Sequence, residues 1–305
     1  MRITVLILVS ATALLASACG GSNDEPSSAS TPFDYDASAP LAYKDKGVIN
    51  HDYPLKVHDV SYTSGGKKVE GLLVVPPGKG PFPAVLYLHG SGGDKTQLIG
   101  PAAWMAARGV VSMTITMPED LIPADATPTG RLVAERKSAV ATVVAARRAV
   151  DALQALPQVD DDRIGLVGWS AGARVGAILA GVDRRIEAFD LFSGGAPPVE
   201  DYAANVPESL RPAVRRELGA VDPLRWIAQA RQSTVLLQDG RKDEVVPRSA
   251  LDDLAKAAGK AAEVRWYAGQ GHTPGRKALG EQLVWMAKKL GVGEPVVEGA
   301  STGPQ

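Results

Sequence analysis

Apolar residues along this chain follow two rhythms. From Leu55 to Thr63, and again from Val69 to Val75, they alternate with polar ones; Ser64-Gly65-Gly66-Lys67 parts the two runs and Pro76-Pro77 closes the second. A period of two turns one face toward a core, and glycines in the gap supply a tight reversal, so an antiparallel hairpin is predicted. Beyond it the rhythm changes. Ala84–Leu88, Val110–Ile115, Ile164–Val167, Ile186–Leu191, Val235–Leu237 and Glu263–Tyr267 are short, mostly apolar runs, which suits strands covered on both faces. Helical stretches fill the gaps: Thr96–Ala107, Leu132–Leu156, Ala171–Ala180, Arg248–Ala258 and Arg276–Leu290. The alternation predicts an α/β fold, with a mostly parallel central sheet and helices on both faces. Segment 197–220 is longer than a simple connection and has helical spacing at Leu210, Val214 and Leu218, so it forms either a small lid or surface packing. The loop 118–130, with three prolines, is a further part of the rim.

The first residues break both rhythms. Arg2 precedes an apolar run from Ile3 to Ala18, too short to span a bilayer as a helix, that ends in Leu15-Ala16-Ser17-Ala18-Cys19. This reads as a signal peptide over 1–19. Ala16-x-Ala18 suits an ordinary signal peptidase, while the segment also resembles a bacterial lipobox with Cys19 as the lipidated residue, although Ala16 stands where leucine is usual. Cys19 is the sole cysteine of the 305 residues, at the one position lipidation needs, and it excludes an internal disulfide. Lipidation and export to the outer side of the membrane are therefore expected, with no other membrane contact. Residues 20–42, rich in Ser, Ala, Gly, Asp and Pro, read as a flexible linker, 43–292 as the folded domain and 293–305 as a disordered tail.

The formal net charge of -1 and the lack of a basic stripe argue against nucleic acid as a partner. No His-x-x-x-His or Cys/His cluster is present, so neither a metal nor an organic cofactor is expected. What stands out is Gly168-Trp169-Ser170-Ala171-Gly172, where an apolar run ends and a helical stretch begins at once. That is the local design of a nucleophile elbow: the serine is forced into an exposed, strained turn, and flanking glycines let backbone pass where a Cβ would clash.

Parallel sheets bind ligands beyond the carboxyl ends of their strands. After the predicted strands come His89-Gly90-Ser91-Gly92-Gly93, Met117-Pro118-Glu119-Asp120, the Ser170 elbow, Gln238-Asp239-Gly240-Arg241-Lys242-Asp243 and Ala268-Gly269-Gln270-Gly271-His272. A serine hydroxyl needs a base to take its proton, and histidine suits that task near neutrality. Of four histidines only His272 follows Ser170, so in the order nucleophile, acid, histidine it is the base. Asp243 is the acid expected to orient it, since Asp239 directly abuts a strand run; Asp190 and Asp222 remain alternatives. The developing oxyanion requires donors, for which the amides of Ala171 and Ser91 serve, with Gly92 as an alternative to Ser91. His89 is expected to hold its loop together, and Trp169 to shape the acyl pocket.

This order of His89-Gly90, Gly168-x-Ser170-x-Gly172, Asp243 and His272 resembles the α/β-hydrolase superfamily over roughly Leu55 to Leu290. Asp160-Asp-Asp-Arg163-Ile-Gly-Leu-Val-Gly168, Asp222-Pro223-Leu224 and Asp239-Gly-Arg-Lys-Asp243-Glu-Val-Val-Pro247 are similar to the dienelactone-hydrolase-like and prolyl-oligopeptidase-like esterase branch. Dienelactone hydrolase proper uses a cysteine nucleophile, where this chain has Ser170, and Ala173 replaces a frequent glycine. The resemblance implies a serine hydrolase cleaving carboxylic esters of small molecules through an acyl-enzyme. A peptidase or thioesterase with the same triad, or a non-catalytic surface-binding lipoprotein, are the alternatives.

Overall fold

The six runs read as doubly covered strands pair side by side. In the computed structural model, which describes residues 30–50, 55–118, 124–232 and 234–293, they are β4 (Phe82–Leu88), β5 (Val111–Ile115), β6 (Val159–Trp169), β7 (Ile186–Phe192), β8 (Val235–Gly240) and β9 (Ala262–Tyr267). All six are parallel, in the order β5-β4-β6-β7-β8-β9. The hairpin is β2 (Val57–Ser64) and β3 (Lys67–Val74), and β3 joins the others antiparallel to β5. One strand was not announced by hydrophobicity: β1 (Lys44–Asn50), antiparallel to β2 at the outer edge. Lys44, Asp45 and Lys46 leave it exposed and charged, as suits an edge that should not recruit another chain, and Lys46 pairs with Asp59 of β2 and Glu70 of β3.

Because successive strand residues point to opposite faces, the buried strands feed two cores. Leu86, Leu88, Ile164, Leu166, Leu191 and Leu237 pack on one face against α2 (Pro128–Gln154), α3 (Ala171–Val182), α6 (Pro223–Ile227) and α7 (Arg248–Ala258). Val85, Tyr87, Val167 and Leu236 point the other way, onto α1 (Ile99–Ala106) and α8 (Arg276–Lys289). The result is three layers. Among the described residues no helix is long and apolar enough to cross a membrane. The chain leaves β4 toward β5 but leaves β6 toward β7, so the direction of winding reverses between β4 and β6. That reversal opens a crevice at the strand ends, where the loops after β4 and β6 diverge.

Segment 197–220 is helical as its spacing indicates. It holds α4 (Val199–Ala204), α5 (Arg211–Glu217) and short 3₁₀ turns at Glu208–Leu210 and Gly219–Val221 before α6. Arg215 bonds Glu200 at 2.8 Å, tying α5 to α4, while the buried Glu217 faces Arg136 of α2 at 3.5 Å. This small cap roofs a cavity over α2 and α3.

The linker expected over 20–42 is corrected in its second half. Phe33 is fully buried, edge-on to Trp226 of α6 with ring centroids 5.4 Å apart. Tyr35 donates its hydroxyl to Asp151 at 2.8 Å, Arg147 donates to the Phe33 carbonyl at 2.9 Å, and Arg148 to the Ala39 carbonyl at 2.7 Å. Residues 31–42 are thus a strap across α2 and α6. The composition that reads as a tether is real; two aromatic side chains, with Asp151, Arg147 and Arg148 among the partners, override it. Segment 1–19 with Cys19, residues 20–29 and the tail beyond 293 lie outside the described residues.

Candidate active site

Ser170 sits between β6 and α3 at φ 54° and ψ -110°, in a region that side chains other than glycine rarely occupy. Its neighbours explain how the turn is held. A Cβ on Gly168 would lie 2.8 Å from the Ala173 Cα, and one on Gly172 would lie 2.8 Å from the His89 carbonyl oxygen and closer still to that of Leu88. Glycine at both positions lets α3 descend directly onto β4 and β6. Two backbone bonds then fix the elbow: the Ser170 amide donates to the Phe192 carbonyl at 2.8 Å, and the Gly172 amide to the His89 carbonyl at 3.0 Å.

The loops after β8 and β9 bring their residues to this point. His272 Nε2 lies 3.0 Å from Ser170 Oγ, and His272 Nδ1 lies 2.9 Å from Asp243 Oδ2. The Asp243 side chain is 1% exposed and that of His272 17%. Asp243 Oδ1 accepts the amides of Val245 at 2.8 Å and Val246 at 2.9 Å. Burial alone would raise this carboxyl, but the Val246 and Val245 amides and His272 outweigh it and hold it below the ordinary range. An ionised Asp243 can only accept, so Nδ1 carries the imidazole proton and Nε2 is left free to accept the Ser170 hydroxyl.

Of the expected oxyanion donors, the Ala171 amide is the first of α3 and the Ser91 amide lies in the exposed loop after β4; neither has an acceptor among the described residues. That loop is held as expected of His89. The Met117 amide donates to His89 Nε2 at 2.9 Å and Nδ1 donates to the Gly90 carbonyl at 2.7 Å, while the Gly90 amide reaches Gln97 Oε1 at 2.7 Å.

Two contributors were not found from sequence. Trp169, expected to shape an acyl pocket, donates its indole N–H to the His272 carbonyl at 3.0 Å and sets its ring 5.9 Å from the imidazole. Ser193, after β7, donates to the same carbonyl at 3.2 Å from a backbone held at φ 49°. Trp169 had its place beside the nucleophile as a signal. Ser193 had none, because its conformation is imposed by tertiary contacts. The alternatives to Asp243 are engaged elsewhere: Asp190 is fully buried in β7 against Gln238, and Asp222 caps α6 through the Leu224 amide.

Asp239 is buried at the end of β8, and burial first, then the Asp243 charge, pushes its carboxyl up to about 7. Between the ordinary carboxylate value and that one, the folded protein keeps a proton that the unfolded chain releases. The stability that Asp239 contributes therefore falls as pH rises from about 4 to about 7 and changes no further above. The urea midpoint should be lower at about pH 7.5 than at about pH 5, and Asp239→Asn, with no proton to lose, should shrink that difference.

A nine-stranded, mostly parallel sheet covered on both faces, with a serine on a strained turn at the central strand's end, defines an α/β-hydrolase. The model of the dienelactone hydrolase family matches residues 69–278. The chain belongs to that family. It is 28% identical over 151 residues to esterase FrsA of Enterobacter sp. (strain 638), a match covering 46% of this chain and 34% of that protein. The chain thus spans about a third of the length of this curated relative. Among solved structures, acetyl xylan esterase 1 from Thermoanaerobacterium sp. JW/SL YS485 superposes with a TM-score of 0.68 at 18% identity, covering 85% of this chain and 91% of that one. A puromycin-hydrolyzing peptidase of Mycobacterium tuberculosis gives 0.62 at 19%, covering 79% of this chain and 40% of that one. At such identities the likeness is one of fold.

Proposed function

We propose that this protein is a serine hydrolase of carboxylic esters, working through an acyl-enzyme. The observation that carries the reading is the unbroken line from Ser170 Oγ through His272 to Asp243, at 3.0 and 2.9 Å. Ser170 attacks the ester carbonyl as its proton passes to His272 Nε2; Asp243 stabilises the imidazolium, and the Ala171 and Ser91 amides receive the oxyanion. Collapse of the tetrahedral intermediate expels the alcohol, which takes the proton from His272. Water, deprotonated by His272, then attacks the acyl-enzyme, and the carboxylic acid leaves as Ser170 regains its proton.

A fluorophosphonate probe should label the wild-type protein at Ser170 and leave Ser170→Ala unlabelled. Folded wild-type protein that resists labelling would overturn the reading. Short acyl nitrophenyl esters compared with peptide amides and thioesters test the bond class, faster turnover of the oxygen esters being expected. The proposal extends to location, with Cys19 lipidated and the domain held outside the membrane; the mass of the mature N-terminus tests it.

A further inference from the structure

The cavity under the cap, about 430 Å³ in volume, is a trough with a direction. Strands β5, β6 and β7 are parallel, so the helices that link them, α2 and α3, both run counter to the strands and begin at the strand ends where Ser170 lies. Their lining residues therefore fall at matched depths. Glu135, Ala139 and Val143 form one helical stripe along α2, and Ala171, Val175 and Ile178 form another along α3. At 1.5 Å per residue, the wall from Ala171 to Ile178 is about 10 Å long. Leu218 and Val221 of the cap segment close it from above.

Polarity changes along that wall. Glu135, at the outer end of its stripe, is exposed and Arg174, one turn into α3, is half-buried, whereas Val143 is 0% and Ile178 3% exposed. Asp222, on the cap side, keeps its carboxylate on the Leu224 amide at 2.9 Å. The charged side chains of the two helices thus stand in the outer half, and the inner end is hydrocarbon. Such a trough suits a chain that enters by its tail and leaves its ester group beside Ser170. With carbon–carbon bonds of about 1.5 Å, an extended alkyl chain covers about 10 Å with roughly eight carbons.

Resting on the reading of Ser170 as the nucleophile, we propose that this trough takes one unbranched alkyl chain of the substrate, that the preferred esters carry a straight chain of about eight carbons, and that Ile178 and Val143 set its limit. Shorter chains leave apolar wall against water. Longer ones meet Ile178 and Val143 and must leave the trough or bend.

The test is kcat/KM along two series kept below their solubility limits. Nitrophenyl esters from acetate to dodecanoate lengthen the acyl side, and alkyl acetates from ethyl to dodecyl lengthen the alcohol side. In one series kcat/KM should climb by about two- to fourfold per methylene, reach a maximum near about eight carbons and fall beyond. Ala139→Phe, halfway along the wall, should bring the maximum to about four carbons and Ile178→Phe to about six, while Val143→Ala should move it outward. The position of a maximum does not depend on how much of the protein is folded, so lost stability in a variant leaves the readout intact. Series that are flat or fall from the shortest member on both sides, or a maximum that stays in place in both phenylalanine variants, overturn the proposal. A fluorophosphonate probe separates the two levels: labelled wild type without a chain-length maximum ends only the trough assignment, whereas unlabelled wild type ends the serine hydrolase reading as well.

Discussion

Asp243→Asn is expected to lower kcat for a short-chain ester by about 10³- to 10⁴-fold, with the fold intact. The reason lies in how both carboxylate oxygens are used. Oδ1 accepts the amides of Val245 and Val246, so an asparagine must keep its carbonyl there and turn its NH₂ toward His272. A donor at that position forces Nδ1 to accept, which moves the ring proton to Nε2 and leaves nothing to receive the Ser170 proton. Asp239→Asn should cost far less, since Asp239 lies at the end of β8 and makes no bond to the imidazole. Steady-state kinetics of the two variants decides between the acids, and equal losses would remove Asp243 from its special place.

Gly172→Ala should cost at least about 100-fold in kcat and lower the unfolding midpoint, although the change adds only a methyl group. That methyl meets the backbone carbonyls of Leu88 and His89, which are not flexible side-chain ends and cannot turn aside. Relief requires α3 to lift away from β4, and the Gly172 amide then loses the His89 carbonyl at 3.0 Å. The Ala171 and Ser91 amides move apart with it, because one travels with α3 and the other with the loop after β4. Gly219→Ala is the control, since nothing lies within 4 Å of a Cβ at that position. Paired thermal melts and ester kinetics on the two alanine variants check the claim.

Most of the architecture was legible because its signals are local. The central strands declare themselves by being apolar on both faces, and Gly168-x-Ser170-x-Gly172 marks where strand becomes helix. Ser170 and His272 could be singled out by order alone. Choosing Asp243 needed only the observation that Asp239 abuts a strand, and β8 does run on to Gly240. What escaped was held by distant partners. β1 is a charged edge with no hydrophobic stripe to betray it. Ser193 and Trp169 act on His272 through a backbone carbonyl, 79 and 103 residues away in sequence, and no pattern in a short window records such a bond. The strap is the same case in reverse: its composition is that of a linker, and its order comes from Asp151, Arg147 and Arg148, more than 100 residues further along.

That strap relocates the practical edge of the protein. A chain trimmed to begin at Tyr43 would retain every group around Ser170, yet it would bare the face of Trp226 that Phe33 covers and strip Arg147 and Arg148 of backbone acceptors. Since α6 also carries Pro223 in the wall of the cavity beside Ala171, the damage would reach that cavity from behind. Cleavage before Thr31 therefore leaves Phe33 and Tyr35 on their partners, whereas cleavage just after Tyr35 removes both, so a harmless cut and a damaging one are separated by only a few residues of chain.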